Sequence, residues 1–397
     1  MANKIVEAPS QLPNKSRRLA PPVHVPRTVF PFSRGGMIAT ALIIGTSFSS
    51  SALADIIIGV AGPMSGQYAF FGEQIVHGAQ TAIDEINAKG GISGELIRLD
   101  VGDDSCDNRK TEEVAKTFVG NGVSVVIGHF CSNAALIGAK IYEAANMPMI
   151  SPSASLPSLA EGAGWNVVRL ASRDDAQADI AALRIRQTTP EAVVAVIDDG
   201  SAAGKALTSR FITAFGKTPM AVTIKPDTKD FSTLVADVQL HSVDAIYFAC
   251  AASDAGNIAA ALKAQGLAVK LYGSDNLLAD QYWANAKEAG EGTRATFATD
   301  PQSANQAKQA IESLKIAGLN SDGATLPSFA AVQLFAAAAV QTGAHNGRGI
   351  TEYLRSGKAF ETVLGPLAFD TKGEVQPPRF VWYKWSNGAY SAESSNN

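Results

Sequence analysis

The sequence predicts an α/β protein of two doubly wound lobes, and three features carry that expectation. Short apolar runs rich in β-branched residues alternate with longer stretches of helical periodicity, first from Asp55 to about Ser155 and again from Val193 to Gly273. Between Val123 and Ser155 the pattern forms one βαβ unit, with strands at Val123 to Ile127 and Met147 to Ile150 around a helix at Asn133 to Ala145, which implies a parallel sheet. Both strands run into hydroxyl-rich loops, Cys131-Ser132 and Ser151-Pro152-Ser153-Ala154-Ser155. That end of an open α/β sheet borders the crevice where ligands bind.

Ser132 stands where a helix N-cap belongs, and Ser155 precedes a short helical stretch starting near Pro157. Hydroxyls and backbone N–H groups at such points can converge on an anion, so the two loops predict a carboxylate cradle. The plainer alternative is that these serines only cap helices.

Residues 1–54 have the form of an export signal. Lys4, Lys15, Arg17, Arg18, Arg27 and Arg34 precede an apolar core, Met37 to Phe48, and small residues at Ala52 and Ala54 suit cleavage before Asp55. The core is too short to span a bilayer and no similar stretch follows, so a soluble exported protein is expected. Met37 is an alternative start, though it would strip the charges from the signal. Arg17-Arg18 is not followed by an apolar run, against a twin-arginine signal, and no cysteine near the cleavage site could carry a lipid. The segment's six basic residues and Glu7 give it +5, so the chain from Asp55 carries −9 against −4 for the whole. An acidic mature chain argues against nucleic acid as a partner.

Export would place Cys106, Cys131 and Cys250 in an oxidising compartment. Cys106 and Cys131 flank the Val123 strand and are expected to pair, closing a loop of about 25 residues that contributes roughly 3 kcal/mol by chain entropy. Cys250 ends an apolar run, as a buried free thiol does.

The remaining elements follow in order. Asp55 to Ala61 reads as the first strand, feeding a glycine-punctuated loop, Gly62 to Gly72. The helix Glu73 to Ala88 sets Ile75, Ala79, Ala82, Ile83 and Ile86 on one face and stops at Lys89-Gly90-Gly91. A strand at Leu96 to Val101 and a helix at Thr111 to Asn121 come next. In the second run, strands at Val193 to Ile197, Met220 to Ile224, Ala245 to Cys250 and Lys270 to Gly273 alternate with helices at Lys205 to Phe215, Phe231 to Leu240 and Asp254 to Gln265. Helices at Gln302 to Ala317 and Ser328 to Thr342 precede a strand-like end, Leu364 to Tyr383, with a turn at Asp370 to Gly373.

Read together, GPMSGQYAFFG (Gly62 to Gly72), INAKGGISG (Ile86 to Gly94), DDSCD (Asp103 to Asp107), VIGHFCS (Val126 to Ser132), the SPSAS loop, KDFSTLVA (Lys229 to Ala236) and GPLAFDTKGEV (Gly365 to Val375) resemble, in order, the branched-chain amino acid type of substrate-binding protein of ABC importers. The resemblance implies the type I periplasmic binding protein fold, two Rossmann-like lobes joined by three crossover segments. Lobe one would be 55–173 with 299–380, and lobe two 174–298 with 381–397. It implies the Cys106–Cys131 disulfide too. It puts the ligand's carboxylate on Ser132, Ser153 and Ser155 around Ala154, its ammonium on Asp275, and a closing aromatic at Phe71, for which loop packing is the alternative. It further implies a periplasmic monomer without cofactor that delivers a small ligand to a membrane permease.

Where the amino-acid binders place aromatics in lobe two, Ala203 and Ala251 are small, so a bulkier amino acid or a small aromatic or aliphatic acid would fit; Asp275 weighs toward an amino acid. A periplasmic sensor on the same fold is the alternative to transport. A hydrolase is disfavoured, because Cys131 is expected to be oxidised and no GxSxG occurs. Gly90 to Gly94 follows a helix and is no dinucleotide fingerprint. Asp103, Asp104 and Asp107 lack a calcium-loop pattern, and His77, His129, His241 and His345 lack ligand spacing, so no metal is expected.

Overall fold

The computed structural model describes residues 56–393, apart from 163, 226 and 227; the expected export signal lies outside them. The first lobe's sheet is wholly parallel. It is built from β1 (Ile56–Gly62), β2 (Ile97–Asp103), β3 (Val125–Ile127), β4 (Met149–Ser151) and β5 (Val167–Arg169), in the order β2-β1-β3-β4-β5. The second lobe has β6 (Val194–Asp198), β7 (Met220–Thr223), β8 (Ala245–Ala249), β9 (Lys270–Gly273) and β10 (Arg294–Ala298), in the order β7-β6-β8-β9-β10. The two orders are the same, so each sheet has its switch point beside its first strand, between β1 and β3 or between β6 and β8.

The chain then forms a small antiparallel sheet, β11 (Phe360–Thr362), β12 (Gly365–Phe369) and β13 (Val375–Gln376), and returns to the second lobe as β14 (Phe380–Ser386) and β15 (Ala389–Ala392), antiparallel beside β10. It therefore passes between sheets after β5, after β10 and between β13 and β14. The three passages are tied together: the Arg379 N–H donates to Ser172 Oγ at 2.6 Å, and the Thr299 N–H donates to the Arg379 carbonyl at 3.0 Å.

Alternation along the strands decides the layers. Ile56, Ile58, Val60, Val125, Ile127, Ile150 and Val168 face one core with the helices Ala69–Ala88 and Thr325–Thr342, while Val126, Met149 and Val167 face another with the helices Asn108–Gly120 and Ser132–Ala144. In the second sheet Ala195, Ile197, Ile246 and Phe248 face one way, and Val194, Val196, Tyr247 and Ala249 the other. Thr325–Thr342 is long and apolar enough to span a membrane, yet its Leu326, Phe329, Val332 and Phe335 are buried core residues.

Some boundaries differ from expectation for identifiable reasons. The first helix begins at Ala69, so Phe71 lies in its first turn and not in the preceding loop. Gly72 suggested a loop, but its role is close approach: a Cβ there would come within 2.2 Å of the Pro63 carbonyl oxygen. The second helix starts at Asn108 because Asp107 caps it, accepting from the Lys110 N–H. Cys131, and not Ser132, is the N-cap of Ser132–Ala144. The expected helix at Gln302 to Ala317 is two 3-10 turns followed by Lys308–Ile316. Elements missed altogether include β5, only three residues long, β10, whose centre is Ala-Thr, the helix Ala176–Thr188, and the short helices Asp280–Ala286 and Arg348–Leu354.

Candidate functional site

A cleft of about 570 Å³ lies at the carboxyl ends of the first sheet's strands. Phe71, Ser153, Ser155 and Asp275 line it, together with Asp174, Gln177, Arg379 and Tyr383. Ser132 and Ala154 are not on that lining and stand behind it.

The hydroxyl loops are bonded to each other. Released from capping, Ser132 Oγ accepts the backbone N–H groups of Ser155 at 3.2 Å and Leu156 at 3.3 Å. Ser153 Oγ donates to the Phe130 carbonyl at 3.2 Å, and Ser155 Oγ donates to Asp174 Oδ2 at 3.0 Å. Ala154 is buried, its N–H on Ser151 Oγ at 3.2 Å. Beneath the loop, the buried Arg169 donates from Nη1 to the Leu156 carbonyl at 2.7 Å and the Ala154 carbonyl at 3.4 Å, and from Nε to Glu374 Oε2 at 2.8 Å.

The first loop is held as firmly. Cys106 and Cys131 form a disulfide with Cα atoms 5.6 Å apart, joining the ends of β2 and β3. Beside it His129 is fully buried, with Nδ1 2.6 Å from Asp104 Oδ2 and Nε2 3.0 Å from Tyr142 Oη. Asp103 accepts from the Met64 N–H and from Ser65 Oγ, so DDSCD serves loop geometry. Among the described residues no cluster of histidine, cysteine and acidic side chains could hold a metal.

Beside the serine loops the wall turns acidic, because Asp174 is bonded to Ser155 and Asp275 lies near it. Asp275 accepts from Gln177 Nε2 on Oδ1 at 3.1 Å, and its N–H donates to Gln177 Oε1 at 3.0 Å; Gln177 is itself fixed by the Thr296 hydroxyl at 2.8 Å. Neither Asp275 nor Asp174 forms an ion pair among the described residues. Asp174 has solvent on one side, yet the protein crowded around it raises its pKa; the Ser155 hydroxyl opposes that and the nearby Asp275 carboxylate adds to it. Two carboxylates without an ion-pair partner among the described residues, beside hydroxyl-bearing loops, suit a ligand bearing both an anion and a cation.

Aromatic rings form the apolar part. Phe71 stacks on Phe130 with centroids 4.6 Å apart and planes 15° from parallel, and Phe297, Phe380 and Tyr383 line the far side. Ala203 and Ala251 are not on the lining. Sequence reasoning missed Asp174, Gln177, Arg169 and Arg379. Only Asp174 carried a signal, as an acid in a segment between the two β/α runs, where the chain crosses from one sheet to the other.

Residues 55–388 match the family described as periplasmic binding protein. The chain is 34% identical over 356 residues, 89% of its length and 95% of the relative's, to Leu/Ile/Val-binding protein homolog 1 of Brucella suis. Among solved structures it resembles an ABC transporter substrate-binding protein of Desulfitobacterium hafniense in complex with Leu (TM-score 0.65, 24% identity, covering 86% of this chain and 100% of that one). It also resembles a solute-binding protein of R. palustris in complex with benzoate (TM-score 0.54, 22% identity, 85% and 95% covered).

Proposed function

We propose, for a chain that belongs to the periplasmic binding protein family in its branched-chain amino acid type, that it is the receptor of an ABC importer for an amino acid. The observation that carries this is that the loops of Ser132, Ser153 and Ser155 and the carboxylates of Asp174 and Asp275, which have no ion-pair partner among the described residues, meet at one cleft. Turned from the Phe130 carbonyl and from Asp174 toward an α-carboxylate, the Ser153 and Ser155 hydroxyls would each supply a charge-assisted hydrogen bond of about 1.5–3 kcal/mol, and a micromolar affinity needs roughly 8 kcal/mol. The ammonium would stand between Asp174 and Asp275 and relieve their repulsion.

In this reading lobe one, 55–173 with 299–380, presents the carboxylate loops and lobe two, 174–298 with 381–397, presents the acids. A ligand that touches both favours the closed arrangement, which a membrane permease then recognises. The chain would be exported with cleavage before Asp55 and act as a monomer without cofactor or catalysis.

The test is a thermal-shift panel of amino acids and of aromatic and short aliphatic acids on the mature chain, followed by calorimetry of Asp275→Asn. Amino acids should raise the melting temperature by mass action, and Asp275→Asn should weaken them more than about tenfold. Stabilisation by benzoate-like acids alone would retire Asp275 and favour the second reading, for which the Phe71–Phe130 stack and the far aromatic wall speak.

A further inference from the structure

The hinge end of the cleft holds a cation that neither the serine loops nor the acidic wall uses. Arg379 follows β13, in the third passage between sheets, and lines the cleft with Leu364, Asp300 and Phe380. Its guanidinium has five N–H donors, and one of them is engaged: Nη2 donates to the Leu364 carbonyl at 3.1 Å, in the turn between β11 and β12. No carboxylate lies within ion-pair distance of it among the described residues. Asp300, also on the lining, accepts the Gln302 N–H at 2.9 Å and makes no ion pair with Arg379.

Other arginines around the cleft are matched. Arg169 has Glu374, Arg173 has Asp175 and Glu161, and Arg294 has Glu393. Arg379 is half-buried, and burial lowers its pKa with no neighbouring acid to restore it. A cation left so is costly, and closure of the cleft would add to the cost unless an anion arrived with the ligand. The lining that Arg379 shares with the serine loops also includes the apolar Leu170, Ala171 and Pro327, which suit methylene groups.

We infer that Arg379 is a second anion subsite and that the ligand is an α-amino acid with an acidic side chain: its amino and carboxylate head lies between the serine loops and Asp174 and Asp275, and its distal carboxylate lies on Arg379. This rests on the amino-acid reading and narrows it. The guanidinium can meet a carboxylate with two parallel N–H donors, which discriminates a carboxylate from an amide of the same shape.

The experiment compares L-glutamate with L-glutamine and L-2-aminoadipate with L-norleucine by calorimetry on the mature chain. It is repeated on Arg379→Gln and Arg379→Lys. The acidic member of each pair should bind at least about tenfold tighter to the unaltered chain. Arg379→Gln should erase that preference, with the acidic member losing at least about tenfold more affinity than the neutral one, and Arg379→Lys should keep part of it. Equal binding of glutamate and glutamine to the unaltered chain, or tighter binding of norleucine, would overturn the subsite and leave the amino-acid reading standing. Loss of acidic and neutral ligands alike in Arg379→Gln would assign Arg379 to hinge packing through Leu364 and overturn it too. Binding of no amino acid at all would overturn both readings.

Discussion

Asp174 is the residue whose behaviour says most about the ligand. Its carboxyl sits above the usual aspartate range because surrounding protein strips away water and Asp275 repels its charge. A group raised in this way favours the folded ligand-free chain while protonated, and that contribution is lost as pH climbs through its folded pKa. At neutral pH its charge is therefore a burden on the folded chain, one that a ligand's ammonium would remove. Affinity for an amino acid should accordingly fall on acidification at a pH above the ordinary aspartate value of about 4, earlier than an unperturbed carboxylate would allow. Asp174→Asn should flatten that part of the profile, weaken binding and raise the melting temperature of the empty protein. A calorimetric pH series that is identical for the two proteins would remove Asp174 from the site.

Among the elements, the SPSAS loop depends most on what lies beneath it. Its serines were legible in the sequence because hydroxyls cluster where a short apolar strand ends. What holds them was not: Arg169 belongs to a three-residue strand, and Glu374, its partner, comes 205 residues later. No local pattern can announce a contact of that separation. The same holds for Ser132, whose position suggests a cap although its hydroxyl spans to the next loop. Arg169→Met should leave Glu374 buried and unpaired and cost about 3–5 kcal/mol. Replacing the pair together, Arg169→Met with Glu374→Leu, should recover most of the melting temperature. It should not recover ligand affinity, since the carbonyls of Ala154 and Leu156 would still lack their donor. Recovery of both would make the pair a matter of stability alone.

Over the whole molecule, the alternation of apolar runs and helical periods was enough to read two doubly wound lobes, because parallel strands buried on both faces leave a continuous apolar trace. The matching strand orders were not readable, nor was the return of β14 and β15 to the second sheet after a long excursion through the first lobe. Those depend on which edge each strand joins, and sequence alternation is silent about edges. The hinge residues Ser172, Thr299 and Arg379 were invisible for the same reason, being united only where three distant segments run side by side.

The free thiol of Cys250 gives the second lobe a built-in clock. It is 3% exposed, in the core behind β8, and burial together with Asp254, Asp199 and Asp198 holds it in the unreactive thiol form. With Cys106 and Cys131 joined, an alkylating reagent has this one sulfur to find, and it can find it only when the lobe breathes. The rate of labelling thus counts openings of that core. If a bound amino acid draws the second lobe onto the first, the clock should slow with ligand concentration along the same curve as the calorimetric isotherm. A clock that keeps its pace at saturation would mean that the ligand is held by the first lobe alone.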